Sequence, residues 1–199
     1  MKRTFFLAFL FLGFFSPLAH AVLPVFQSGP EQVPLLELYT SEGCSSCPAA
    51  DEWIAQFQNH PDLWKKFIPV AFHVTYWDRL GWKDRFGSRE FDQRQKAYVE
   101  SWKAWNVATP TFVLNGKNWE NWYETNRIPD SNPQQAGILS AKALDPEEYL
   151  ITFKPLFAVS KPLEIHGALL GFSVSSSIQA GENVGKNKRL KSVGYSICY

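Results

Sequence analysis

The chain has few cysteines, no marked excess of either charge and only one long apolar run. Its 199 residues include three cysteines, 20 basic and 19 acidic side chains. This balance argues against a nucleic-acid partner, because phosphate binding needs a basic surface. Without a second cysteine pair, the sequence also lacks the four-ligand pattern of a structural zinc site. No internal repeat is present, and the length suits one core with a modest extension.

The one long apolar run is at the N-terminus. Two basic residues precede an uncharged, Phe- and Leu-rich stretch over 4–18, and an Ala-His-Ala tripeptide follows at 19–21. This pattern predicts a secretory signal peptide over residues 1–21. A membrane anchor is the alternative, but the stretch is broken by Gly13 and Pro17 and is shorter than the roughly 20 residues of a span. We therefore expect a secreted, periplasmic protein that has no membrane attachment after cleavage.

Two of the three cysteines lie in TSEGCSSCPAAD, residues 40–51, between a predicted strand and a predicted helix. The preceding stretch PLLELY is short and mostly apolar, which indicates a strand buried on both faces. The residues after the pair carry an apolar stripe at helical spacing, namely Ala50, Trp53, Ile54 and Phe57. Because proline is tolerated only in the first turn of a helix, Pro48 places the helix start near residues 44–46. Extending the stripe backwards puts both sulfurs on one face, with Cys47 further in and Cys44 at the lip.

A cysteine at a helix N-terminus is activated, because the unpaired amides and the helix dipole favour its thiolate. This position predicts that Cys44 is the attacking nucleophile and that Cys47 is the resolving thiol, which closes an intramolecular disulfide. A permanent structural disulfide is one alternative, although so small a loop would constrain the unfolded chain little. The other alternative is a soft metal site suited to Cu(I), in which His73 joins the two thiolates.

The next part of the chain predicts a strand, a helix and a second strand. IPVAFHVT, residues 68–75, has the composition of a buried strand. Ser88 is placed to cap a helix that ends at Asn106. The aromatic stripe of that helix comprises Phe91, Tyr98, Trp102 and Trp105. In ATPTFVLNG, residues 108–116, a proline opens a short strand that stops at an Asn-Gly turn signal.

This order of elements, strand-CxxC-helix-strand-helix-TP-strand, resembles the thioredoxin superfamily. The resemblance implies an α/β thioredoxin-like fold over residues 22–128, with a central mixed sheet flanked by helices. It also implies that the Thr109–Pro110 bond is cis, that it packs against the cysteine pair and that the flanking backbone pairs with substrate. Thioredoxins place a buried acid near the position of Glu37 as proton acceptor for the resolving thiol. A solvent-facing edge position is the alternative for Glu37.

Three longer stretches resemble a bacterial secreted family known only as domain of unknown function 1223. They are ELYTSEGCSSCPAAD at 37–51, AFHVTYWDRLGWKDRFGSREFDQRQKAY at 71–98 and LLGFSVSSSIQAGENVGK at 169–186. Together they span most of the chain after the predicted signal peptide, from residue 37 to residue 186. The resemblance implies a thioredoxin-like fold, but it implies no activity.

The remaining residues predict a small β-rich extension over 129–199. Apolar stretches such as AGILSAKA and LEIHGALLGFSVSS indicate its strands. Where the family continues from GENxG into an apolar strand and further chain, this sequence reads KNKRLKSVGYSICY and stops. We therefore expect the extension to be incomplete. Cys198 falls in this tail, where a free thiol is expected rather than a third redox cysteine, and pairing between molecules is the remaining alternative.

Three further side chains are candidates for a site. His73 lies in a strand, where a lone histidine is more often a core residue than a metal ligand. Trp77 and Trp82 lie in YWDRLGW directly after that strand, where loops contact ligands in α/β folds. The two tryptophans predict the floor of a substrate groove, and a cap on the core is the alternative.

These observations predict a thiol-disulfide oxidoreductase that needs no cofactor and no metal. Its partners would be protein or small-molecule thiols and disulfides. The predicted catalytic residues are Cys44, Cys47, Pro110 and Glu37, and the predicted substrate-binding residues are Thr109, Trp77 and Trp82. A copper- or metal-binding module and a binding protein with a structural disulfide are the alternatives.

Overall fold

The computed structural model describes residues 23–128, 134–190 and 193–196. The predicted signal peptide over 1–21 and Cys198 therefore lie outside the described residues. The two α-helices of the described part are α1, Cys47–Ala55, and α2, Arg89–Ser101. Its strands are β1 Val25–Gln27, β2 Leu35–Thr40, β3 Ile68–His73, β4 Thr111–Leu114, β5 Lys117–Asn118, β6 Gly137–Ala143, β7 Tyr149–Pro155, β8 Ala168–Gly171, β9 Val174–Ser177, β10 Asn187–Leu190 and β11 Val193–Ser196.

A four-stranded mixed sheet forms the centre of the first half of the chain. Its strand order is β3-β2-β4-β5, with β2 at an internal position. Strands β2 and β3 are parallel, so α1 is the crossover between them, whereas β4 runs antiparallel to β2. β5 pairs with β4 across the Asn115-Gly116 turn. The predicted strands around 34–39, 68–75 and 111–114 and the mixed α/β class are confirmed.

Strand β2 is covered on both faces, as its apolar sequence predicts. Leu36 and Leu38 pack against α1 in one core cluster with Trp53, Ile54, Phe57 and Phe112. Tyr39 points to the other face, where Val74 and Val113 are also buried and the aromatic rings of Phe72 and Tyr98 pack against them. The position of the cysteine pair is therefore set by a strand that is fixed on both sides.

Helix α2 begins as predicted and ends five residues early. The Ser88 hydroxyl caps it by accepting a hydrogen bond from the Glu90 amide at 3.2 Å. The helix ends at Ser101, and Lys103 has a positive φ of 57°. Trp102 turns back to stack on Tyr98 and donates a hydrogen bond to the Gly116 carbonyl. The prediction that Trp105 extends the buried stripe is wrong, because the chain has left the helix and that side chain is 96% exposed.

The second half of the chain is built of antiparallel strands. β6 pairs with β7 on one side and with β1 on the other. Residues 25–27, which the sequence assigned to the first domain, thus join the sheet of the extension. β9 pairs with β10, and β8 pairs with β11. In the part of the chain that the structure describes, no helix has the length and apolar character needed to cross a bilayer.

Candidate functional site

The two cysteines form a disulfide in the connection between β2 and α1. Their Cα atoms are 5.4 Å apart. Ser46 is the residue before the helix, Cys47 is its first residue and Pro48 its second, so the predicted helix start is confirmed. Cys44 lies in the preceding turn. Both cysteines are fully buried, although the helical stripe placed Cys44 at the lip.

Thr109 and Pro110 lie directly beside the disulfide. The bond between them is cis, as the resemblance implies. The Cys44 sulfur is 3.7 Å from the Thr109 carbonyl oxygen and 3.3 Å from the Ser46 hydroxyl oxygen. The Trp77 indole donates a 2.7 Å hydrogen bond to the Thr109 hydroxyl. The structure therefore brings Trp77, Thr109 and the cysteine pair together.

Trp82 approaches the same turn through Glu42. Its indole donates a 2.8 Å hydrogen bond to Oε2 of Glu42, whose side chain is fully buried. The amide of Glu42 donates to Oδ2 of Asp84 at 2.7 Å. Sequence reasoning missed Glu42 and Asp84. A signal for Glu42 was present in the sequence, because it lies two residues before Cys44. If the cysteine sulfurs are buried, the turn that carries Glu42 is buried with them.

His73 pairs with Asp84. Its Nδ1 is 2.6 Å from Oδ2 of Asp84, and neither side chain is exposed. Burial alone would raise the pKa of Asp84. The attraction of His73 and the hydrogen bonds from His73 and from the amides of Glu42 and Phe86 outweigh burial and hold that pKa below its ordinary value. Within the described residues, no group of three or more His, Cys, Asp or Glu could hold a metal. His73 and the cysteines are thus not assembled into the metal site considered above.

The buried pair gives stability that should be lost in acid. Because the pKa of Asp84 is lowered in the folded state, its contribution is present above the unfolded value of about 4 and disappears as pH falls through the folded value. We expect the free energy of unfolding to fall as pH decreases from about 5 to 3. The Asp84→Asn variant should be less stable at neutral pH and should show a shallower acid dependence. Urea unfolding across this pH range measures both effects, and an unchanged slope in the variant would contradict the assignment.

Glu37 is buried, so the alternative of a solvent-facing edge is wrong. Its carboxylate faces α2, where Arg94 binds both oxygens at 2.7 and 2.9 Å. The hydroxyls of Tyr39 and Tyr98 donate to it at 2.8 and 2.7 Å. Burial and the hydrogen bond to Glu37 raise the pKa of Tyr98 to about 12. Side chains alternate between the two faces along a strand, and the neighbours Leu36 and Leu38 face α1. Glu37 therefore points to the opposite face, and the structure does not bring it to the cysteines.

Asp51 is an acidic side chain on the helix that carries Cys47. It lies one turn beyond that residue in α1, on the same side of the helix. It is largely buried and accepts a 2.9 Å hydrogen bond from the hydroxyl of Thr40, the last residue of β2. Sequence reasoning missed it, although the four-residue spacing in CPAAD was a visible signal.

The connection between β9 and β10 also reaches the cysteine turn. The Asn183 carboxamide donates hydrogen bonds to the carbonyls of Glu42 and Cys44, at 2.9 and 2.7 Å. Oε2 of Glu182 accepts a hydrogen bond from the Ser45 amide at 3.0 Å. The hydrogen bonds from Ser45 lower the pKa of Glu182. The stretch GEN, 139 residues beyond Cys44 at Asn183, is therefore part of the site.

Comparison with known proteins identifies the family of the chain. No curated protein matches it. A crystal structure of a protein from Agrobacterium tumefaciens is 36% identical over 45% of this chain and 39% of its own length, with a TM-score of 0.40. The family described as "Protein of unknown function (DUF1223)" matches residues 35–196. That range includes the cysteine pair, both helices and the stretch GEN, so this chain belongs to the DUF1223 family.

Proposed function

We propose that this protein is a thioredoxin-like thiol-disulfide oxidoreductase, with Cys44 as nucleophile and Cys47 as resolving thiol. The main support is the disulfide between these residues at the amino end of α1, beside the Thr109 backbone. The mixed sheet, with α1 as the crossover between the parallel strands β2 and β3, supports the thioredoxin-like fold. Trp77 supports a role for Thr109 in substrate binding, because its hydrogen bond fixes that side chain.

The chemistry is a two-step exchange. In the reduced protein, the Cys44 thiolate attacks one sulfur of a substrate disulfide, forms a mixed disulfide and expels the other substrate sulfur as a thiolate. Cys47, after loss of its proton, then attacks the Cys44 sulfur, which closes the protein disulfide and releases the second substrate thiol. Two electrons and two protons leave the protein dithiol and reduce the substrate. The reverse sequence oxidises a substrate dithiol.

The position of Cys44 favours the first step. It precedes α1 by three residues, so the amides at the start of that helix and its dipole stabilise a negative sulfur. The Ser46 hydroxyl, 3.3 Å from the Cys44 sulfur, can donate a hydrogen bond to a thiolate there. An oxidising compartment suits this chemistry, and the predicted signal peptide would deliver the protein to the periplasm or beyond.

The reduction potential tests this function. We expect a value in the catalytic range, roughly -270 to -120 mV, because a stabilised thiolate favours the reduced form. The purified protein would be equilibrated in glutathione or dithiothreitol buffers and followed by tryptophan fluorescence, since Trp77 and Trp53 lie near the pair. A potential below about -300 mV would indicate a structural disulfide and defeat the proposal.

A further inference from the structure

The cysteine pair is shut off from solvent in this structure. Neither Cys44 nor Cys47 has any exposed surface. Exchange requires a substrate sulfur to contact the Cys44 sulfur along the axis of the disulfide that breaks. A substrate therefore cannot react until some part of the covering structure moves.

The connection between β9 and β10, residues 178–186, binds the backbone of the turn that carries Cys44 and is called the capping loop here. Its base is closed by the Ile178 amide, which bonds the Lys186 carbonyl at 3.0 Å, and by the Gly185 amide, which bonds the Ile178 carbonyl at 2.8 Å. Gly181 has a positive φ of 77°, and a Cβ added to it would lie 3.4 Å from Cβ of Trp82. The loop is thus a compact unit seated beside the predicted substrate-binding tryptophan.

Asn183 is the most deeply buried polar side chain of the capping loop. It is 1% exposed, and its Nδ2 donates to the carbonyls of both Glu42 and Cys44. Its Oδ1 accepts a 2.8 Å hydrogen bond from Nζ of Lys186, which fixes the orientation of the amide. Both hydrogens on Nδ2 are therefore used to hold the cysteine turn.

Glu182 binds a different backbone group of the same turn. Its carboxylate accepts from the amide of Ser45, between the two cysteines. The capping loop consequently engages two carbonyls and one amide of the backbone around Cys44. These are groups with which a bound polypeptide could otherwise pair.

We propose that the capping loop is a gate over the cysteine pair, in which Asn183 and Glu182 compete with substrate for the backbone around Cys44. This inference rests on the oxidoreductase function proposed above. While Asn183 and Glu182 bind the cysteine turn, the Cys44 sulfur is shielded from solvent. When both side chains release the turn, the sulfur and the three backbone groups become accessible together. A polypeptide disulfide fits this site, because its backbone can replace the hydrogen bonds that the gate gives up.

The test is the rate at which dithiothreitol reduces the disulfide of the full-length protein. Asn183→Ala removes both hydrogen bonds from the loop to the carbonyls of Glu42 and Cys44, so we expect reduction to be about tenfold faster or more, and Glu182→Ala should accelerate it about threefold. Gln179→Ala is the matched control: within the described residues this exposed carboxamide of the same loop bonds to Ser177 and not to the cysteine turn, so its loss should leave the rate unchanged. Wild-type protein should also reduce a peptide disulfide more slowly than Asn183→Ala does.

Two outcomes would overturn the gate. One is a reduction rate within about twofold of wild type in each variant that remains folded by circular dichroism. The other is an equal acceleration in Gln179→Ala, which would indicate general loosening of the loop. If Asn183→Ala does not fold, the exposed Glu182 decides the question. The reduction potential of the wild type is measured independently, so failure of the gate and failure of the proposed function are distinguishable.

Discussion

Cys47→Ser is expected to trap substrates as mixed disulfides on Cys44, whereas Cys44→Ser should trap none. The reason is that only Cys44 lies before the helix and beside the Thr109 backbone, while Cys47 is the first residue of α1 and closes the exchange. Either substitution should lower turnover with a disulfide substrate by about three orders of magnitude or more, because each removes a covalent step. Mass spectrometry of the purified variants, after incubation with a peptide disulfide, measures the trapping.

Cys198→Ser is the matched control for this experiment. It also removes one thiol, and turnover and trapping should stay at the wild-type level. In the reduced wild-type protein, iodoacetamide should label Cys44 before Cys47 at neutral pH, since the helix N-terminus favours its thiolate. Equal and slow labelling of both residues, together with no trapping, would indicate an inert disulfide.

Arg94→Met is expected to destabilise the protein strongly, because Arg94 is the cation paired with the buried Glu37 carboxylate. Glu37 is only 1% exposed, so loss of the guanidinium leaves a buried carboxylate with two tyrosine hydroxyls and no cation. Breaking a wholly buried pair costs about 3–5 kcal/mol, and Arg94 is 41% exposed, so we expect a loss of about 2–3 kcal/mol. Urea unfolding at neutral pH measures this change.

Two companion variants separate charge from packing. Arg94→Met combined with Glu37→Gln should recover much of the lost stability, because no carboxylate then remains buried at residue 37, and one tyrosine hydroxyl can donate to the glutamine carbonyl while the other accepts from its amide. Arg89→Met, an exposed arginine on the same helix, should change stability by less than about 0.5 kcal/mol. If Arg94→Met and Arg89→Met were equally mild, the network would not be an important source of stability.

The same variants examine the role predicted for Glu37. If Glu37 were the proton acceptor for Cys47, the Glu37→Gln substitution would change the pH dependence of disulfide closure. The structure has Glu37 bound to Arg94 on the face of β2 that meets α2, so we expect the pH profile to be unchanged. A shifted profile would restore the catalytic role, and Asp51, one turn beyond Cys47, would then be the residue to compare.

Local sequence signals were enough to predict that the cysteine pair lies between β2 and α1. Apolar continuity marked β2, helical spacing marked α1, and Pro48 limited where that helix could begin, because these signals act over a few residues. The Ser88 cap and the placement of Pro110 before β4 were readable for the same reason. The end of α2 could not be predicted in this way. The apolar spacing continues to Trp105, but the helix ends at Ser101 and the Trp102 indole donates a hydrogen bond to the Gly116 carbonyl.

The surroundings of the pair, in contrast, come from contacts between elements that are distant in the sequence. Glu37 could have been a proton acceptor or an edge residue, and its actual partner Arg94 is 57 residues away on a helix packed against the other face of the sheet. Asn183 reaches Cys44 across 139 residues, and Glu42 reaches Asp84 across 42. Such contacts depend on how separate elements pack and not on local secondary-structure preference. The spacing of residues in the sequence therefore does not predict them. Thus the sequence located the sulfurs, and packing decided that both are buried and that Asn183 binds the turn that carries Cys44.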